Sequence, residues 1–388
     1  MTGPAIWLLG FRPFFLGAAL FAMLSMAVWL AVYGFGWPLE ISGVSRHQWH
    51  AHEMIYGYSM AVVAGFLLTA ARNWTGLETL QGRGLAGLFV LWLLPRLLLL
   101  QGARWLPSAA IADLAFMLIL TAAIARPVLQ VRQYRQLPVL LILLLLTFSS
   151  GRFYLAALSG EAAQVSASLY AGLYLVLALI LFMGRRVIPF FTERGVDYPV
   201  ELRNARWNDG LSWLLFPAFL VAEVFFPHRP AGAVLAGLLF LLNGLRLAGW
   251  YTPGIWRKPL LWSLYLAYLL ITLGFGLRAL QPLAGLPLLM PVHAFALGGI
   301  GLVTISMMPR VSLGHTGRSV HEPPAGVPVF IGIMALAAAS RVLLSWLDPS
   351  RYLLWVTVSG LLWILAFGLF ALSIGPMLLR QRIDAKMD

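Results

Sequence analysis

The feature that most constrains this chain is its succession of apolar runs long enough to cross a bilayer. Runs of about 18 or more apolar residues read as transmembrane helices. About twelve fit, roughly at 13–36, 50–72, 84–101, 107–127, 137–158, 166–187, 208–226, 231–248, 257–280, 284–308, 326–347 and 351–380. Lipid offers backbone amides no partner, so only helices or a closed barrel can span it. A barrel needs strands that alternate polar and apolar residues, and these runs do not alternate. Only 11% of the 388 residues are charged and 61% are hydrophobic, whereas a soluble domain carries roughly 25% charged residues. The expected fold class is an all-α polytopic membrane protein of about 12 transmembrane helices, forming a single integral membrane domain over 1–388.

Charge sets the expected orientation. Basic residues collect in the loops on one side, among them Arg12, Arg72, Arg185, Arg186, Arg310, Arg318, Arg382 and Lys386, while the opposite loops hold Arg46, Arg104, Arg229, Arg278 and Arg351. Basic loops stay in the cytoplasm, so both termini are expected inside. The net charge of +13 is thereby explained without nucleic acid, which is not an expected partner. The first apolar run follows Arg12-Pro13 and is a full span, so it reads as a helix rather than a cleavable signal. The absence of cysteine excludes disulfides, thiolate metal sites and iron–sulfur clusters.

Two segments echo one another. His52 stands 24 residues before the glycine of Thr75-Gly76, and His293 stands 24 residues before that of Thr316-Gly317. A glycine follows each histidine five residues on, Gly57 and Gly298. At about 1.5 Å per residue this spacing crosses a bilayer. Each segment therefore has a histidine near the periplasmic face and a Thr-Gly turn at the cytoplasmic face. The sixth span ends similarly, in Thr192-Glu193-Arg194-Gly195, without the histidine. A four-helix unit used three times would produce this pattern.

Polar residues inside spans are costly and mark function. His47, His50 and His52 cluster with Glu53 at the mouth of the second span, and His293 lies early in the tenth. Neutral imidazole is a common ligand of haem iron and copper. His52 and His293, at matching depth on separate helices, are placed as axial ligands of a haem; the alternative is a pair of satisfied core histidines. His50 and His52 are two residues apart, on different helix faces. Either could take the haem while the other, with His47 or Glu53, takes copper. His315 lies too far along the helix from His293 to share its metal, and reads as a separate cytoplasmic ligand or a turn residue. Met307-Met308 could bind Cu(I), though packing is the commoner role of methionine. Trp49, Trp74, Trp105 and Trp207 read as interface anchors. Arg96, Arg152 and Arg341 interrupt apolar runs, and Arg278 lies near a span end. Snorkelling suits Arg278. The other three could pair with haem propionates in the bidentate geometry that guanidinium and carboxylate share, or with an anionic substrate.

Longer motifs carry a family resemblance. Trp49-His50-Ala51-His52-Glu53-Met54-Ile55-Tyr56-Gly57, then Ala64-Gly65-Phe66-Leu67-Leu68-Thr69-Ala70 and Asn73-Trp74-Thr75-Gly76, resemble the second-helix signature of the NnrS family. Gly10-Phe11-Arg12-Pro13-Phe14-Phe15 resembles its N-terminal motif, and Arg310-Val311-Ser312-Leu313-Gly314-His315-Thr316-Gly317-Arg318 its C-terminal motif. The resemblance implies a haem- and copper-containing bacterial inner-membrane protein of the nitric oxide response in denitrifiers, protecting against nitrosative stress. It carries His50, His52, Glu53, His293, His315 and Arg318 over as motif positions. The architecture is also similar to the haem–copper oxidase core subunit, which has twelve helices and haem ligands on the second and tenth. The sixth and seventh spans here contain no histidine, so the oxidase copper centre is not expected.

The leading expectation is a haem b protein, with copper as a second group, whose partner is nitric oxide or another small diatomic ligand. A redox activity toward nitric oxide is left open by the resemblance. The alternatives are a secondary transporter, or a haem- or copper-handling protein, using the same His/Arg cluster.

Overall fold

The computed structural model describes residues 4–39, 43–227 and 229–383. His228 and Lys386 lie outside the described residues. Among those described there is no β-strand, and the chain is built from long helices joined by short turns. We number them α1 (Phe11–Gly34), α2 (Arg46–Thr75), α3 (Gly82–Leu99), α4 (Leu106–Gln130), α5 (Leu137–Leu158), α6 (Ala162–Gly195), α7 (Arg206–Phe225), α8 (Ala231–Trp250), α9 (Pro259–Ala284), α10 (Leu289–His315), α11 (Gly326–Leu347) and α12 (Tyr352–Leu379). Eleven are long and apolar enough to cross a membrane. The exception is α7, whose ends carry Asp209 and Glu223. Both acids pair with arginines from neighbouring helices, Asp209 with Arg185 and Arg246 and Glu223 with Arg278. The chain is a multi-pass membrane protein.

Several helices outrun the apolar spans. The second begins at Arg46 because Ser45 forms a reciprocal capping box: its hydroxyl accepts from the Gln48 amide at 3.3 Å, and the Gln48 side-chain oxygen accepts from the Ser45 amide at 2.9 Å. Gln48 then donates to the Ala162 carbonyl and the Ser166 hydroxyl, tying the start of α2 to that of α6. The tenth helix starts five residues later than expected and runs through Pro309 to His315. Hydroxyls satisfy its carbonyls on the way, Ser306 on Leu302 and Ser312 on Met308.

The chain divides into two compact units. The first comprises Met1–Val176, Met308–Ser319 and Phe367–Asp388; the second comprises Leu177–Met307 and Val320–Ala366. In the first unit α1 packs on α2, which is mostly buried between His52 and Ala71. Close approach there depends on small residues: a Cβ on Gly65 would meet the Phe15 ring at 2.8 Å, and one on Gly10 would meet Leu68 at 2.6 Å. In the second unit α9 packs against α8 and α10, with Phe275 edge-on to Phe295 at 4.9 Å.

The echo between the second and tenth spans is structural. After His52 the chain makes a π-helical stretch over Glu53–Ser59, and after His293 another over Ala294–Gly301. Such turns are rare and occur frequently at functional sites. At the far ends Gly76 and Gly317 both take left-handed backbone, φ 70° and 76°. The threonine before each bonds the carbonyl four residues back at 2.7 Å. The sixth helix is regular α over Ala162–Gly195, so it shares neither device.

Candidate functional site

The first unit encloses a buried ionic network at His52. A π turn fits an extra residue per turn, so neighbours diverge less around the axis, and His52 and Glu53 both face inward. His52 Nδ1 lies 2.9 Å from Glu53 Oε1, and Nε2 lies 3.6 Å from Asp113 Oδ2 on α4. Arg96 on α3 completes the ring, with Nε 3.4 Å from Glu53 Oε2 and Nη2 2.8 Å from Asp113 Oδ1. The Tyr154 hydroxyl of α5 donates to Asp113 Oδ2 at 3.0 Å. The Phe153 ring stacks on His52 at 4.2 Å. All four ionisable side chains are at most 2% exposed. Formal charges cancel when one proton is shared among His52 and the two carboxylates, which is how so dense a cluster is tolerated in lipid.

This arrangement bears on the haem expectation. An iron ligand needs one free ring nitrogen: His52 Nδ1 is held by Glu53, whereas its Nε2, 3.6 Å from Asp113 Oδ2, is buried without a hydrogen-bond partner. On another face of α2, His47 and His50 meet α1: His50 stacks on Trp29 at 4.3 Å, and His47 lies edge-on to Trp29 and Tyr33 at 5.4 and 5.6 Å. Stacking uses the ring face of His50, whereas coordination uses its edge. In the second unit, His293 Nδ1 bonds the Leu289 carbonyl at 2.8 Å. That bond orients the ring and selects the tautomer whose lone pair sits on Nε2, the arrangement usual behind a metal-binding histidine.

The copper residues named above are dispersed. Glu53 is engaged by His52 and Arg96, away from His47 and His50. His315 lies beside Asn73, its Nε2 3.4 Å from the amide nitrogen, and Asn73 is about 34 Å along α2 from His50. Among the described residues no group of three or more histidines and carboxylates could hold a metal ion. Met308 is fully buried, and Met307 packs against the cluster around Leu247 and Tyr268. Trp49 is likewise buried rather than facing an interface.

The interrupting arginines have protein partners. Arg96 takes carboxylates of the chain itself, as above. Arg278 pairs with Glu223 through two contacts of 2.9 and 2.7 Å instead of snorkelling. Arg152 donates to the Gln164 amide oxygen at 2.5 Å, and Arg341 to the Tyr352 hydroxyl at 2.8 Å; both of these partners are neutral.

Sequence reasoning passed over Asp113 and a second polar cluster. In the second unit Arg246 Nη2 lies 2.9 Å from Asp209 Oδ1, and Nη1 donates to Tyr268 Oη at 2.9 Å. Tyr268 in turn donates to Asn243 Oδ1 at 2.5 Å, and Arg185 also pairs with Asp209. The signal was available for Asp113, an acid inside an apolar span. It was weaker for Asp209 and Arg246, which lie near helix ends where charge is ordinary.

No characterised protein matches the chain. A family model, described as NnrS protein, matches residues 5–382, taking in the α2 signature, the π-turn histidines and both Thr-Gly ends. The chain belongs to the NnrS protein family.

Proposed function

We propose that this protein binds haem in the bacterial inner membrane, with both termini in the cytoplasm, and acts in the response to nitric oxide and nitrosative stress. The observation that carries the reading is the oriented imidazole of His293, whose Nδ1 is held by the Leu289 carbonyl at the start of a π-helical stretch. His293 would supply one ligand to the iron. On the second helix the ligand would be His52, whose Nε2 is buried without a hydrogen-bond partner, or His50. Arg152 and Arg341, whose hydrogen-bond partners are neutral, suit propionates; Arg96, already between two carboxylates, does not. Haem would supply an iron that binds a small diatomic ligand. The chain's own part is to orient the imidazoles, exclude water and hold the propionates. Copper is carried only by the family resemblance, and His47 with His50 is the pair that would begin such a site.

The test is the absorption spectrum of the purified protein, oxidised and dithionite-reduced. A Soret band that is lost in His293→Ala and in either His52→Ala or His50→Ala, and shifted by nitric oxide, supports this reading. A colourless protein, after expression with ample haem, overturns it.

A competing reading is a secondary transporter. The buried His52–Glu53–Arg96–Asp113 network favours it, since ionisable groups within spans commonly mark substrate and ion pathways. It predicts the colourless result, together with substrate-dependent flux in vesicles that Asp113→Asn abolishes.

A further inference from the structure

Two of the π-helical stretches share a device. In the α-helical parts of the chain, serine and threonine hydroxyls bond the carbonyl four residues back, as Thr69 does to Gly65, Thr147 to Leu143, Thr272 to Tyr268 and Ser312 to Met308. Two serines reach five residues back instead. Ser59, the last residue of the Glu53–Ser59 stretch of α2, donates to the Met54 carbonyl at 2.7 Å. Ser345 directly follows a further π stretch, Ser340–Leu344 in α11, and donates to the Ser340 carbonyl at 3.2 Å. Both serines are buried. Backbone amides beside them make the same reach, Met60 to the Ile55 carbonyl and Ser345 to that of Ser340.

A π turn holds one residue more than an α turn, and an α-helix rotates about 100° per residue. The stretch in α2 therefore sets the azimuth of the helix start relative to its end. The end, Met60–Thr75, is fixed by packing on α1 and α4. His52 and Glu53 stand at the other edge of the stretch, where they meet Asp113 and Arg96. Ordinary α register would carry both away from those partners. In α11, Arg341 lies inside the stretch, with Nη1 3.5 Å from Ser345 Oγ and Nη2 2.8 Å from Tyr352 Oη. A slip to α register there would separate the guanidinium from both hydroxyls. The π register is rare, and a hydroxyl bond that spans five residues favours it over the α register, in which the partner is the carbonyl four back. The π stretch of α10 is held differently. Thr304 bonds Ile300 and Gly301 there, at the usual shorter reach. Tight packing takes the place of the long bond: a Cβ on Gly299 would meet Ile271 at 2.5 Å, and one on Gly301 would meet Trp363 at 2.8 Å.

We propose that Ser59 and Ser345 are positioning residues. Their hydroxyls hold the π register that places His52 and Glu53 in the first unit and Arg341 in the second. This holds whether or not haem binds, so it stands apart from the haem reading.

The test measures distances between paired nitroxide labels in the full-length protein in detergent. The chain has no cysteine, so label sites enter as Arg46→Cys with Arg104→Cys in the first unit, and as Leu288→Cys with Leu347→Cys in the second. All four positions are exposed. The parent protein should give one distance for each pair. Ser59→Ala should add a second distance to the first pair, and Ser345→Ala to the second pair, with the population of the slipped register rising about three- to tenfold, as expected for loss of one buried hydrogen bond. Ser59→Thr, which keeps the hydroxyl, should restore the single distance. Thr69→Ala removes a buried hydroxyl with the ordinary four-residue bond from the same helix; it should lower the melting temperature and leave the distance unchanged. Distances that stay single in Ser59→Ala and Ser345→Ala, whatever the melting temperature does, overturn the proposal. So does a second distance of equal weight in Thr69→Ala, which would make the effect one of general destabilisation.

Discussion

Arg96 and Asp113 approach to 2.8 Å with side chains only 2% and 0% exposed, so α3 and α4 are joined by an ion pair with almost no access to water. Removing one partner of such a pair leaves a buried charge and costs roughly 3–5 kcal/mol. Arg96→Met, which leaves Glu53 and Asp113 buried without their guanidinium, should therefore lower the melting temperature sharply. The double variant Arg96→Met/Asp113→Leu, which leaves one carboxylate with His52, should recover much of the loss. Thermal unfolding in one detergent checks both, and a double variant no better than Arg96→Met would contradict the pairing.

His52→Ala is expected to reduce stability. Its imidazole sits between Glu53 and Asp113, and without it two carboxylates face one guanidinium. His293→Ala should lose the Soret band with little change in the stability of the first unit. Recording spectrum and melting curve on the same preparations separates the two roles.

Gly57 has no room for a side chain. A Cβ there would lie 2.6 Å from the Phe21 ring and 2.9 Å from Arg96 Nη1. The Gly57 carbonyl also accepts from Trp92 Nε1 at 2.9 Å, so the backbone cannot shift without losing that bond. Gly57→Ala should destabilise by about 1–3 kcal/mol, the usual cost of overpacking. Gly298→Ala, whose nearest neighbour would be Leu270 at 3.1 Å, should cost less.

Gly76 and Gly317 close α2 and α10 in left-handed backbone. Either one changed to alanine should cost about 1 kcal/mol, and to asparagine less, because asparagine tolerates that conformation. Equal losses for alanine and asparagine would mean that the turn geometry is not what the position requires.

Much of the architecture was legible because the solvent imposes it. An apolar run in lipid has little choice but to be a helix, and α5 and α11 begin and end where the hydropathy does. The departures come from local chemistry that hydropathy does not register. The Ser45 box starts α2 early, and α10 runs on past Pro309 to His315. The echo of His52 and His293 was visible as spacing, but the π-helical stretches behind them were not, since no residue type demands an i→i+5 turn.

The sequence alone determined that this chain is a bundle of membrane-spanning helices, that it has no thiol chemistry, and that His52 and His293 stand near the starts of two matched spans. It also carried the motifs that identify the family. Only the tertiary structure decided which polar groups meet. Asp113 and Arg96 lie on separate helices, and neither their pairing nor its capture of His52 can be read from either span alone. Likewise His315 gathers with Arg12, Asn73 and Arg382, from both ends of the chain, because packing brings those helix ends together. Burial in lipid makes an unpartnered charge so costly that helices dock where charged groups can meet, and that choice depends on the whole fold rather than on any segment of it.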